Sequence, residues 1–351
     1  MKHTDGSDAV APRFFYLIPA LSRNRFSYES RWTHMKRLLA GGKRQVPSGG
    51  VKIIYQHCDL LNKNGRIAYP VHLGDFVIDW FAHDTTPINR DQALTMIREN
   101  DVLICPEVIP RVAAPFACRR KIAFVQNWFL PDLATGPGKS YEDFGFSGLL
   151  SCSLYIKEYM ASRSRLACQL VMNGIDLNAF SPAPRERIPR RVLCFNRRNI
   201  QDARAARQLL PPALQESATF IELENKYSQN EIIGFYRSAD IFMAIGYPEG
   251  FALPPLEAMA CGCAVIGFTG GGGGEFMIDG ETALVSPDGN AQSLACNLKR
   301  VLTDDGIREK IRSGGTAKAS QYSLERMEQE LLCFADSFSR SDCSNHRTRL
   351  A

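Results

Sequence analysis

Pro248-Glu249-Gly250-Phe251-Ala252-Leu253-Pro254-Pro255-Leu256-Glu257-Ala258-Met259-Ala260-Cys261-Gly262 is the stretch on which the reading of the chain turns. Its two glutamates lie eight positions apart. The pattern predicts Glu249 in a glycine-containing turn and Glu257 inside a helix. Pro254 and Pro255 suit the first turn of that helix, where a missing N–H costs nothing. Apolar runs at 240–246 and 264–269 read as strands leading in and out. The unit is therefore strand, turn, helix, strand, and it aims backbone amides at whatever lies beyond the strand ends. An anion at the amides and a polyol at the two carboxylates together describe a sugar nucleotide. The plainer alternative is an amphipathic helix carrying two incidental acids.

Outward from this unit, strands and helices alternate through most of the chain, the signature of parallel α/β layering. Residues 14–20 read as the first strand, and 51–64 as a helix stopped by Gly65. Short strands are expected at 68–72 and 76–80, with others at 101–105, 121–126 and 168–172. The turn Asn173-Gly174 and the run of Pro182, Pro184 and Pro189 mark a linker, after which strand 192–195 opens a second half. The expected organisation is a disordered terminus at 1–12, a first domain at 13–180, a linker at 181–190 and a second domain at 191–322. A last helix follows at 323–338, and then a disordered tail at 339–351.

Composition agrees with two soluble domains. The chain has 351 residues, 45% hydrophobic and 23% charged, which is ordinary for globular proteins. Eleven cysteines are scattered without metal-ligand spacing, and residues 1–11 are polar rather than leader-like. Both point to a reducing cytoplasm. No apolar run approaches the ~18 residues of a membrane span. The net charge of +5 is uneven. Between 22 and 50 stand Arg23, Arg25, Arg31, Lys36, Arg37, Lys43 and Arg44 against Glu29, with Trp32, Met35, Leu38 and Leu39 interleaved. This segment reads equally as a solvated loop or as a peripheral contact with a membrane surface or an anionic acceptor. Nucleic-acid binding would rest on this segment alone, without aromatic-basic modules, and is not expected.

The opening stretch resembles the donor-binding segment of glycosyltransferase family 4, E-G-F-x-L-P-x-L-E-A-M-A-x-G, at each fixed position. Asn173-Gly174-Ile175-Asp176 with Phe180-Ser181-Pro182 is similar to that family's N-G-V-D-x-x-x-F-x-P hinge. The resemblance implies a GT-B architecture: α/β, two Rossmann-like domains with a cleft between them, the last helix packing back on the first domain. It also implies that Glu249 touches hydroxyls of the transferred sugar and that Glu257 takes bonds from the nucleotide ribose. Backbone N–H groups of Gly250, Phe251, Ala252 and Leu253 would face the phosphates.

Positive charge for the diphosphate is expected from Phe195-Asn196-Arg197-Arg198, where Arg197 or Arg198 matches the family arginine. Arg204 would stand for the family lysine, a substitution that changes donor geometry; the plainer reading of Arg204 is a solvated helix-face charge. Gly49 and Gly50 correspond to a glycine-rich loop facing the diphosphate from the first domain. Gln126 and Asn127 stand near where many members have a histidine close to the donor sugar; neither amide can act as a general base. Glu107, at another strand end, reads either as a surface acid or as facing the acceptor. The run Gly270-Gly271-Gly272-Gly273-Gly274 before Glu275 matches the family's G-G-x-x-E. It reads as backbone brought close to the donor or as a flexible loop.

There is no Asp-x-Asp and no ligand-spaced His or Cys cluster, so no metal and no bound cofactor are expected. The resemblance implies retention of anomeric configuration, with the leaving phosphate taking the acceptor proton. The expected activity is transfer of a sugar from a nucleotide-sugar donor to a glycan or lipid-linked acceptor. The alternative from another class is a catalytically silent sugar-nucleotide or glycan binder of the same fold, favoured by the missing lysine and histidine.

Overall fold

The computed structural model describes residues 11–19, 48–183, 187–196, 198–224 and 227–344. Residues 1–10, most of the basic segment 22–50, Arg197 and the chain beyond 344 lie outside the described residues. Seven strands, β1 (Phe14–Ile18), β2 (Ala68–His72), β3 (Ile88–Asn89), β4 (Val102–Pro106), β5 (Arg120–Val125), β6 (Gly148–Ser151) and β7 (Cys168–Leu170), form one sheet in the order β3-β2-β1-β4-β5-β6-β7. Five more, β8 (Arg191–Phe195), β9 (Thr219–Leu223), β10 (Ile241–Ala244), β11 (Ala264–Gly267) and β12 (Leu284–Val285), form a second in the order β12-β11-β10-β8-β9. The strand pairs in both sheets are parallel.

The central strands are unbroken apolar runs because helices cover both faces of a parallel sheet. Every residue of β1, β10 and β11 is buried. In each sheet the strand order reverses beside the first strand: β2 and β4 flank β1, while β9 and β10 flank β8. Such a reversal leaves a crevice at the carboxyl ends of the two diverging strands. In the second domain those ends lead to Arg198, after β8, and to Glu249, after β10.

The element expected at 76–80 is not a strand. Trp80 leaves the ladder for a ring cluster with the next residue: it lies edge-on to Phe81 at 4.5 Å, and Phe81 lies edge-on to Tyr55 at 5.6 Å. The last helix, Leu324–Ser344, runs past the expected end at 338, so the first residues of the expected disordered tail are helical. This helix lies on the first domain. Phe338 packs edge-on to Phe14 at 6.2 Å, Glu330 accepts a hydrogen bond from the Met172 amide at 2.6 Å, and Arg66 pairs with Asp336. One continuous cluster of buried side chains runs from the first domain through Phe180 to Tyr236, Phe251 and Leu256 of the second.

Candidate active site

The turn after β10 is tied to the glycine run by two backbone bonds. The Glu249 amide donates to Gly270 O at 2.8 Å, and the Gly272 amide donates to Glu249 O at 3.1 Å. Its carboxylate meets Arg198, with Nη2 2.6 Å from Oε1. The Arg198 side chain is 48% exposed and that of Glu249 27%. The pair therefore stands at the mouth of the crevice, accessible to a ligand. Tyr247 folds back on the helix Ile200–Gln208: its hydroxyl donates to Asp202 at 2.9 Å, and its carbonyl accepts from Asn199 at 3.2 Å.

Ala252 takes a left-handed conformation (φ 62°) and begins the helix Leu253–Ala260, whose first turn carries Pro254 and Pro255. Glu257 is buried in that helix. Tyr236 donates to its Oε2 at 3.3 Å, and Lys52, from the first domain, lies 3.1 Å from Oε1. Two cavities adjoin here, sharing Phe195 and Pro254 in their walls. Arg198, Glu249 and Ala252 line one of about 50 Å³. Gly49, Lys52, Trp80, Leu253 and Glu257 line the other, of about 120 Å³.

The glycines prove to be where the two domains touch. A Cβ on Gly250 would fall 1.9 Å from Gln126 O, one on Gly50 2.8 Å from Gln126 Oε1, and one on Gly49 3.1 Å from the Leu253 side chain. A Cβ on Gly272 would fall 1.8 Å from Gly250 O. The five-glycine run is packed rather than loose. Gly270 O accepts from the Trp128 indole at 3.2 Å, and Glu275 accepts from the Tyr155 amide, at the start of the helix Leu154–Ala161, at 2.8 Å. Ser153 of the first domain donates to Gly250 O at 2.9 Å.

Glu107 is buried rather than on the surface. It accepts from Asn127 Nδ2 at 3.3 Å and sits behind the 126–128 segment that receives Gly250. Burial pushes its carboxyl up to about 7, against hydrogen bonds from the Asn127 side chain and from neighbouring backbone that favour the ionised form. Asn127 is thus engaged with Glu107, while Gln126 lies on Gly50 and Gly250. Arg204 is not brought to either cavity. It is bound by Glu222 of β9, at 2.7 Å and 3.1 Å, and holds that carboxyl below the usual range. The reason is local: Glu222 projects toward the helix face that carries Arg204. Lys52 was not singled out by the sequence, because a lysine on the first turn of a helix carries no signal until its partner from the other domain is placed.

Residues 216–318 match the family described as glycosyl transferases group 1. That segment contains Glu249, Glu257 and the glycine run. The chain is 26% identical over 132 residues to an uncharacterized glycosyltransferase of Methanocaldococcus jannaschii, covering 38% of each chain. It is 30% identical over 122 residues to a D-inositol 3-phosphate glycosyltransferase of Salinispora tropica, covering 35% of this chain and 24% of that one. The chain thus aligns with less than two fifths of the length of these relatives. Over the whole molecule the fold is similar to sucrose-phosphate synthase from Thermosynechococcus elongatus, with a TM-score of 0.67 at 14% identity over 94% of this chain and 100% of the other. It is also similar to HepE of Anabaena in complex with UDP-glucose, with a TM-score of 0.66 at 14% identity over 93% and 99%. The architecture is GT-B.

Proposed function

We propose that this protein is a family 4 glycosyltransferase, transferring a sugar with retention of configuration from a nucleotide-sugar donor to a glycan or lipid-linked acceptor without a metal. One observation carries the reading. At the strand-order reversal of the second sheet, Arg198 and Glu249 stand paired at 2.6 Å beside the buried Glu257, opposite the first domain's Gly49, Lys52 and Gln126. The group 1 family match over this segment and the UDP-glucose held by the similarly folded HepE support it. A serotype-specific mannosyltransferase of Escherichia coli among the relatives, 29% identical over 27% of this chain and 12% of its own length, agrees with transfer of a sugar.

In this reading Arg198 turns from Glu249 to the diphosphate and stabilises charge on the leaving group. Glu249 then accepts a hydroxyl of the bound sugar. The bond from the anomeric carbon to the diphosphate oxygen breaks as the acceptor oxygen bonds on the same face, and the acceptor proton passes to the departing phosphate. Closure of the two domains excludes water from this step. In this reading the cation that meets the diphosphate is the Arg198 guanidinium. No helix among the described residues is long and apolar enough to cross a membrane. In the same reading the cysteines, scattered without metal-ligand spacing, favour a reducing cytoplasm, and the basic segment 22–50 would meet an anionic surface when the acceptor is lipid-linked.

A panel of UDP-, GDP-, dTDP- and ADP-sugars in thermal unfolding tests the donor class. A cognate donor at a hundred times its Kd stabilises by about 2.7 kcal/mol. NMR of the product's anomeric proton tests retention, and EDTA leaves turnover unchanged. Absence of a stabilising donor, or an inverted product, overturns the reading.

A further inference from the structure

Lys52 is the one described first-domain side chain paired with an acid of the opposite domain that the proposed donor uses. It stands on the first turn of the helix Gly49–Lys63. Its ammonium lies 3.1 Å from Glu257 Oε1 and 5.0 Å from the centre of the Phe180 ring, at the entry to the linker. The side chains of Lys52 and Glu257 are 10% and 11% exposed. A buried pair of this kind adds little net stability, yet loss of one member leaves a buried charge unmatched. It is therefore better suited to specifying one arrangement of the domains than to holding either together. A carboxylate has about four lone-pair sites. Lys52 and Tyr236 take one on each oxygen of Glu257, and the group still lines the cavity shared with Gly49, Trp80 and Tyr227.

We propose that Lys52 is a positioning residue that fixes Glu257 for reading the ribose hydroxyls of a nucleoside diphosphate, and that it does so only when the domains are closed. This rests on the donor-site reading above. The nucleotide half of the donor is thereby recognised by one domain under the control of a side chain from the other. An open molecule, with Glu257 released from Lys52, holds the ribose poorly. Donor discrimination and closure become one event.

The test compares full-length wild type, Lys52→Met, Lys52→Arg and Glu257→Gln. Calorimetry measures binding of UDP, GDP and their 2′-deoxy counterparts, and steady-state rates are taken with the donor that wild type uses. Wild type is expected to prefer the ribonucleotide. Lys52→Met is expected to weaken ribonucleotide binding about tenfold or more, the scale of one hydrogen bond to a charged group. It leaves the deoxynucleotide nearly unchanged, so the preference collapses, as it does in Glu257→Gln. KM for the donor rises while kcat changes far less, and Lys52→Arg recovers much of the preference. If Lys52→Met does not fold, Lys52→Gln carries the same expectation. A preference retained in Lys52→Met, whether binding is unchanged or weakens equally for ribo- and deoxynucleotide, overturns the role of Lys52 alone, and a preference retained in Glu257→Gln overturns the ribose role of Glu257 on which it depends. So does a wild type that binds nucleotide without preference. A wild type that binds no nucleoside diphosphate overturns the donor reading beneath it.

Discussion

Glu249 and Glu257 have the same side chain and opposite surroundings. Glu249 stands partly in water against a half-exposed arginine, while Glu257 is enclosed between a tyrosine and a lysine. An exposed ion pair contributes little to stability, so Glu249→Ala is expected to leave the melting temperature nearly unchanged. It is expected to lower turnover on the order of 10²-fold, the scale of losing one group aimed at a polar transition state. Turnover within threefold of wild type (a threshold of about 0.7 kcal/mol) removes Glu249 from the chemistry. Glu107 makes a different kind of prediction. Its folded carboxyl titrates near 7 because of burial, against 4.5 for an ordinary glutamate. The folded state therefore keeps a proton that the unfolded chain has released, and this stability is full below pH 4.5 and declines as pH rises through 7. The loss amounts to roughly 3 kcal/mol. Glu107→Gln, which cannot ionise, is expected to show a smaller difference between its melting temperatures at pH 5 and pH 8. An unchanged difference assigns the titration elsewhere.

At the scale of elements, the decisive feature is how closely the turn after β10 approaches the end of β5. Gly250 has room for no side chain: its hydrogen occupies the place where a Cβ would meet Gln126 O at 1.9 Å. The contact is backbone on backbone, so no rotamer change relieves it. Gly250→Ala is expected to hold the domains apart. Small-angle scattering reads this as a larger radius of gyration, and the donor KM rises with it, while circular dichroism shows both sheets intact. An unaltered scattering profile shows that this seam does not govern closure. The glycine run plays the same part. Gly271, at φ 100°, sits against Trp128 and Tyr155, and Glu275 reaches the start of the helix Leu154–Ala161. Such glycines permit close approach of two backbones, and here the second backbone belongs to the same chain.

For the whole molecule, the C-terminal helix Leu324–Ser344 is structurally part of the first domain. Met327, Leu331, Phe334 and Phe338 are buried in the cluster that contains Phe14 and Tyr55. At about 1.5–3 kcal/mol for each large apolar side chain, these four contribute on the order of 6–12 kcal/mol, comparable with the stability of a typical domain. A chain ending at residue 323 is therefore expected to lose the first domain's cooperative transition in calorimetry. A transition that survives at the wild-type temperature contradicts this placement. Much of the architecture was legible without coordinates. Apolar runs of strand length, the prolines ahead of Leu256 and the proline-rich linker are local signals, and local signals survive in one dimension. Thus β1, β10, β11, the helix Leu253–Ala260 and the acid pair Glu249 and Glu257 were all readable in the chain itself. Residues 76–80 misled because a short, mostly apolar run ending in Trp80 suits both a strand and a ring cluster. Which charge meets which was decided only by the tertiary structure: Arg204 goes to Glu222, Lys52 to Glu257, and Glu107 lies under Asn127. These pairings join residues 18, 205 and 20 positions apart. The physical reason is that an ion pair or buried hydrogen bond depends on distance and desolvation, and neither exists until the sheets have packed.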